Sequence, residues 1–245
     1  MDSTPDGVDE LTVTDRTRLR RHARKGSHRR EDLYEVLDAG FVCHLGLQTS
    51  HGPMVLPTSY GRDGDHLYLH GSVASRSLRS ALERVSMCVA VTHIDGIVLA
   101  RSVFEHAVNY RSALIYGTPE VLTDPRAKAS GLRAISEQVA PGQWGYAREP
   151  SDEELAVTTV LLLALDEASV KIRSGPPGDG DGPDAERPVW AGEIPLRTVR
   201  LDPVPDPALP SPVDFPPHLS EPTMAGGAVW CGAVAVPSQQ TPQKV

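Results

Sequence analysis

From residue 41 to residue 116 apolar and polar side chains largely alternate, and short runs of Gly, Pro, Asp and Asn punctuate the pattern. A period of two places successive side chains on opposite faces of a strand. Phe41–Gln48 and Met54–Tyr60 read as a hairpin joined by Thr-Ser-His-Gly-Pro. His66–His70 follows the turn Gly61-Arg62-Asp63-Gly64-Asp65, a strong hairpin signal. Met87–Ile94, Ile97–Val108 and Asn109–Tyr116 continue the strand register, with Gly117 as a stop. Val121–Thr123, Val160–Asp166, Ser169–Arg173 and Pro188–Leu196 complete the set.

Helical spacing interrupts the strands at a few places. Glu31–Ala39 carries Leu33, Tyr34 and Leu37 on one face and stops at Gly40. Ser75–Glu83 and Pro125–Val139 are amphipathic, the latter starting from a Thr123/Asp124 cap. Ser151 stands three residues before Glu154, the spacing of a capping box, which predicts a helix to about residue 157. Residues 141–150 and the Gly/Pro/Asp-rich stretch 175–186 read as loops. Many short strands with few helices predict a mainly β fold with flanking helices, a small antiparallel barrel and not a βαβ unit.

The chain has 245 residues, enough for one large domain or two small ones. Three divisions are predicted: a basic N-terminal arm over 1–30, a barrel domain over 31–200, and a Pro-rich, disordered tail over 201–245. The net charge of −8 argues against general nucleic-acid affinity, which needs a clustered basic face. The one basic run, from Arg16 through Arg20 to Arg30, is either a solvated arm or a clamp on an anionic ligand or partner subunit. Cys43, Cys88 and Cys231 lack zinc-like spacing, and His28, His51, His93 and His106 are scattered, so no metal site is expected. The polar, acidic N-terminus is unlike a signal peptide, and no apolar run reaches membrane-spanning length. A soluble, cytoplasmic protein without membrane or nucleic-acid partners is the expectation.

Candidate chemistry concentrates between residues 67 and 82. A strand ending at His70 runs through Gly71 and Ser72 into a helix carrying Ser75, Arg76 and Arg79. Such a turn suits a phosphate: glycine allows close approach, amide N–H groups at a helix start attract negative charge, and arginine offers a bidentate fork. The bland alternative is helix capping by serines with a surface arginine. For His70 three roles stay open: an interior histidine bonded to backbone, a flavin or substrate contact (and the candidate catalytic residue), or an axial haem ligand. Cys43 and His44 are adjacent on a strand and point to opposite faces, which excludes a thiolate–imidazole pair. Tyr110, Arg111 and Ser112 are either an ordinary strand or further phosphate contacts, and Trp144 and Tyr146 either anchor their loop or line an entrance.

With these segments in order, the chain resembles the pyridoxamine 5′-phosphate oxidase-like, FMN-binding split-barrel superfamily, and within it the flavin-nucleotide-binding and nitroimidazole-resistance branch. The likeness spans about residues 15–200. It is carried by Lys25-Gly-Ser-His-Arg-Arg30, Gly40-Phe-Val-Cys-His-Leu-Gly46, Pro57-Thr-Ser-Tyr-Gly61, Leu67-Tyr-Leu-His-Gly-Ser72 with Ser75-Arg76, Val108-Asn-Tyr-Arg-Ser112 and Arg187-Pro-Val-Trp-Ala-Gly192. The resemblance implies a homodimer of six-stranded antiparallel split barrels with FMN at the dimer interface. The isoalloxazine would lie along Pro57, Thr58, Ser59 and Tyr60. The phosphate would be held by His70, Ser72, Ser75 and Arg76, with Tyr110, Arg111 and Ser112 next, and Trp190 would stand near the second subunit's flavin. Some members hold haem instead of flavin, which would make His70 the iron ligand. The substrate-binding Arg-x-His of the vitamin B6 oxidase has no match after Trp190, so pyridoxamine phosphate is not the expected substrate. The resemblance thus implies an FMN-dependent oxidoreductase acting on a small organic molecule, with a haem-dependent enzyme or a non-catalytic flavin sensor as alternatives.

Overall fold

A computed structural model describes residues 9–20, 25–72, 85–209 and 213–220. Its framework is one antiparallel sheet. In chain order the strands are β1 (Gly26–Ser27), β2 (Val42–Thr49), β3 (Gly52–Asp63), β4 (His66–Ser72), β5 (Met87–Leu99), β6 (Ala107–Gly117), β7 (Glu120–Leu122), β8 (Thr158–Ala164), β9 (Glu167–Arg173) and β10 (Gly192–Pro195). The helices among the described residues are α1 (Arg30–Asp38), α2 (Pro125–Val139), α3 (Gln143–Tyr146), α4 (Asp152–Ala156) and α5 (Pro217–Ser220).

Strand order across the sheet is β1-β9-β6-β5-β2-β3-β4-β8-β7, with β10 added to the far end of β5. Ten strands form where six were expected, and short edge additions such as β1, β7 and β10 account for most of the excess. The hairpins turn where the chain permits a left-handed backbone: Gly52 has φ +106° in the β2–β3 turn and Gly64 has φ +54° in the β3–β4 turn. The strand that β3 forms bends between two partners. Gly52 to Ser59 pair with β2, whereas Tyr60 to Asp63 pair with β4. This hand-over curves the sheet into a split barrel.

Alternation on β2 fills the interior. Cys43, Leu45 and Leu47 are buried while Val42, His44 and Gln48 face outward. The helix α1 plugs the barrel with Leu33, Val36 and Leu37, each fully buried. Burying three such side chains is worth about 1.5–3 kcal/mol apiece. The longer helix α2 starts from Asp124, whose carboxylate accepts the Ala127 N–H at 2.8 Å, with Pro125 in the first turn. It covers the outer side of β3, β4 and β8, and small residues let it lie close. A Cβ at Gly61 would meet Ala134 backbone atoms at 2.4 Å, and one at Gly131 would meet Tyr68 at 2.7 Å.

The N-terminal arm is a clasp. Leu11 is buried, its N–H donates to the His28 carbonyl at 2.6 Å, and β1 zips onto β9. The basic run closes on the chain's own carboxylates: Arg16 on Glu167, Arg29 on Glu31, and Arg30 on Asp9 and Asp65. Two expectations change. Residues 143–146, read as loop, form the short helix α3, and the last strand shrinks to Gly192–Pro195, the residues that pair in register with β5. No described helix is long and apolar enough to cross a membrane.

Candidate functional site

The parting of β3 and β4 defines the candidate site. Leu69 pairs with Tyr60, and the next pair along would be His70 with Ser59, where the two strands diverge. From there back to Gly52, the edge of β3 away from β2 has no strand partner among the described residues. Among the described residues, no strand pairs with the backbone N–H and C=O groups of that edge, the kind of edge that can take a ligand or another chain.

Four consecutive residues on a strand cannot share a face. Pro57 and Ser59 turn outward, opposite His44 and Val42 of β2. Thr58 and Tyr60 turn inward, and Tyr60 is fully buried with its hydroxyl donated to the Leu37 carbonyl. Only the outward pair presents side chains to a molecule on the sheet face.

His70 pairs with Val160 of β8, on the side of the sheet where α2 packs. Its Nδ1 is buried and has no hydrogen-bond partner among the described residues. Burial lowers the imidazole below its ordinary 6.5, so the ring is neutral near pH 7 and keeps a lone pair available. Among the described residues, no backbone group bonds that nitrogen. Ser72 ends the strand, exposed, opposite Thr158. Ser75, Arg76 and the helix expected around them lie outside the described residues.

On β6 the three candidates separate. Tyr110 and Ser112 face outward beside Ile94 and Thr92 of β5. Arg111 points the other way and grips Asp95 bidentately, Nε to Oδ2 at 3.0 Å and Nη2 to Oδ1 at 2.9 Å. Continuing the β2–β5 register two residues past the His44–Ala90 pair sets Val42 beside Thr92. Ser112, Thr92, Val42 and Ser59 thus line one row across the outer face. That face carries exposed apolar side chains, among them Val55, which is 67% exposed, Ile94 and Leu114. Trp190 is exposed just before β10, away from this row, and packs on Gly192. Cys43 is buried, its thiol pushed up to about 12 by desolvation, and His44 lies on the opposite face, so the two form no nucleophilic pair.

Several groups escaped sequence reading. His93 turns inward, where its Nε2 meets the Val36 carbonyl at 2.9 Å. Asp179, in the Gly/Pro/Asp loop, is buried and accepts the N–H groups of Arg101 and Ser102 at 2.6 and 3.2 Å. Nothing in a run of alternating Gly and Asp distinguishes that aspartate from its neighbours.

A model of the pyridoxamine 5′-phosphate oxidase family matches residues 29–172. The chain belongs to that family. Two solved structures are similar over most of their length. The flavocytochrome Anf3 from Azotobacter vinelandii is 36% identical, with 84% of this chain and 95% of that one covered and a TM-score of 0.80. The FAD- and haem-binding protein from Mycobacterium smegmatis is 37% identical, with 79% and 95% covered and a TM-score of 0.75. A protein from Bacteroides thetaiotaomicron, described as a 5-nitroimidazole antibiotic resistance protein, shares the fold at 18% identity, 60% and 86% coverage and a TM-score of 0.52. No curated protein matches the chain.

Proposed function

We propose that this chain is a redox protein that holds a flavin nucleotide against the β2–β3–β5–β6 face and haem through His70. The observation that carries the reading is the half-buried His70 ring: neutral, with a buried Nδ1 that has no hydrogen-bond partner among the described residues. A buried polar atom left unpaired costs about 1–3 kcal/mol, and iron ligation removes that cost. Support for the flavin comes from the unpartnered backbone edge of Gly52–Ser59, the outward Pro57 and Ser59 beside it, and the likeness to two proteins whose names join a flavin with haem or a cytochrome. The M. smegmatis protein favours FAD over FMN as the flavin.

When bound, flavin exchanges electrons singly or in pairs and haem iron exchanges them singly, so the two together suit electron transfer to or from a small organic molecule. The chain's own residues orient and shield. Val160 and Tyr68 flank His70 along the sheet, and α2 packs against both of them on that side. Ser72, with Ser75 and Arg76 in the following segment, would hold the flavin phosphate. The exposed apolar side chains of that face, Val42, Val55 and Leu114 among them, suit a second copy of the chain, which would close the flavin site as a homodimer.

An absorbance spectrum of the purified protein, with mass spectrometry of the released chromophores, tests the reading. We expect a Soret band together with flavin bands. His70→Ala should lose the Soret band and keep the flavin bands. A colourless protein that takes up neither cofactor overturns the proposal, and a Soret band that survives in His70→Ala overturns the assigned ligand.

A further inference from the structure

The chain beyond β10 builds a cavity against the ends of α1 and α2, apart from the outer sheet face. The strap formed by residues 198–203 runs past the C-terminal ends of α1 and α2, and α5 follows further along. Between strap and helix ends lies a cavity of about 470 Å3, within the roughly 300–1,000 Å3 of small-molecule sites. Phe41, Val139, Val199, Leu201, Phe215 and Leu219 give it apolar walls.

The strap has reasons not to collapse into that space. The Leu196 N–H bonds the Asp95 carbonyl at 2.9 Å at one end. Toward the other end, His218 Nε2 meets Gln143 Oε1 at 3.2 Å and the His218 ring stands 5.3 Å from that of Tyr146. Pro203, Pro205 and Pro207 fix φ and remove donors, so this stretch stays extended and cannot coil into a helix.

The charged and amide groups of the wall are committed, with one exception. Asp38 takes both Arg62 bonds at 2.6 Å, which neutralises its carboxylate. Gln138 donates to the Leu37 and Gly40 carbonyls at 3.1 and 2.7 Å and accepts the Arg62 N–H at 3.3 Å. Arg200 is half-buried in the wall and makes no hydrogen bond or ion pair with the described residues. An apolar chamber with one uncommitted guanidinium complements a molecule with a flat apolar body and a single acidic group.

We propose that this cavity binds a small aromatic carboxylate, its rings among Phe41, Val139, Leu201 and Phe215 and its carboxylate on Arg200. Phe41 connects the cavity to the strand already assigned to flavin: its carbonyl accepts the Tyr60 N–H at 3.1 Å, and Val42 pairs with Ser59. A ligand held there lies beside that strand, the position of a substrate. The binding itself stands on the cavity alone and does not require the flavin assignment.

Calorimetric titration of the full-length protein as purified tests this, with 2-naphthoate as the probe and 2-naphthylmethanol as its neutral counterpart. Naphthoate should bind about 10-fold or more tightly than the alcohol, the worth of one charged hydrogen bond. Arg200→Gln should abolish that preference. Val139→Trp and Leu201→Trp fill the cavity from two different walls, so either one that folds should lose naphthoate binding. Equal affinity for the two probes, a preference that survives Arg200→Gln, or binding unchanged in a folded tryptophan variant overturns the proposal. So does adenosine monophosphate binding more tightly than naphthoate and disappearing in the same tryptophan variants, which would make the cavity a nucleotide site. The absorbance spectrum of the same sample reports on flavin and haem separately, so the two proposals fail independently.

Discussion

The hydroxyl of Tyr60, on β3, donates to the carbonyl of Leu37, in the last turn of α1. Burial pushes the Tyr60 phenol well above its usual range, so it remains a donor near neutral pH. The same carbonyl accepts Gln138 Nε2 from α2 at 3.1 Å. A single oxygen therefore joins the barrel plug, the bent strand and the covering helix.

That shared acceptor makes the two donors interdependent. Tyr60→Phe alone should cost about 1 kcal/mol, because Gln138 still satisfies the carbonyl. With Gln138→Leu added, the loss should exceed the sum of the single losses by roughly 0.5–2 kcal/mol, the mark of a shared partner. Denaturant unfolding of the four proteins in the cycle measures this, and simple additivity would refute it.

Gly61→Ala should destabilise by about 3 kcal/mol, at the upper end of overpacking costs. Its new Cβ would lie 2.4 Å from Ala134 C and O and Ile135 N, atoms of a helix backbone that cannot rotate aside. Gly145→Ala is the control, since its Cβ meets nothing within 4 Å. Thermal melts showing equal effects at the two positions would contradict the close packing of α2.

Arg111 is bound to Asp95 on the inner side of β6, away from the row that holds Ser112. Arg111→Gln should therefore lower stability by only ~0.5–1 kcal/mol, as partly exposed ion pairs do. Flavin affinity should stay as in the parent protein. A flavin titration that weakens tenfold in this variant would return Arg111 to the phosphate site.

Acid should release the cap of α4. The Arg148 guanidinium and the Ser151 N–H hold the Glu154 carboxylate at about 2, below its ordinary 4.5. A depressed carboxylate contributes stability above its unfolded value and loses it as pH falls. The melting-temperature gap between wild type and Glu154→Gln should be full at pH 6, shrink below about pH 4.5, and close near pH 2. A gap that does not change with pH would show that the charge plays no part.

What the sequence made legible was local. Alternation over Val42–Gln48 and Met87–Ile94, the Gly64 turn, the Asp124 cap and the Ser151–Glu154 box all depend on residues a few positions apart, and each formed as read. The strand expected over Ile97–Val108 instead breaks between Leu99 and Ala107, its ends joining β5 and β6. The strand β1 has no pattern of its own, and the extent of β10 within Pro188–Leu196 is not set by its own residues. Both strands exist because β9 and the far end of β5 offer them partners more than 90 residues away. The candidate site shows the same limit. The contiguous stretch Pro57–Tyr60 falls on one strand, but alternation splits it, and only register shows which half shares a face with Ser112. Arg111 looked like an anion ligand because its own carboxylate partner sits across a strand bulge, between Ile94 and Gly96. The Arg200 cavity was invisible, since it joins the ends of two helices to a proline-rich stretch that shows no periodicity.

The pairing of Gly26 with Lys171 and of Ser27 with Val170 also orders events at the ribosome. During synthesis β1 waits for the polymer to grow to β9 before it can be zipped shut, while the hairpins between them can form as they emerge. The amino-terminal clasp is therefore a late seal on a nascent chain, and one so dependent on distant contacts is expected to mature slowly.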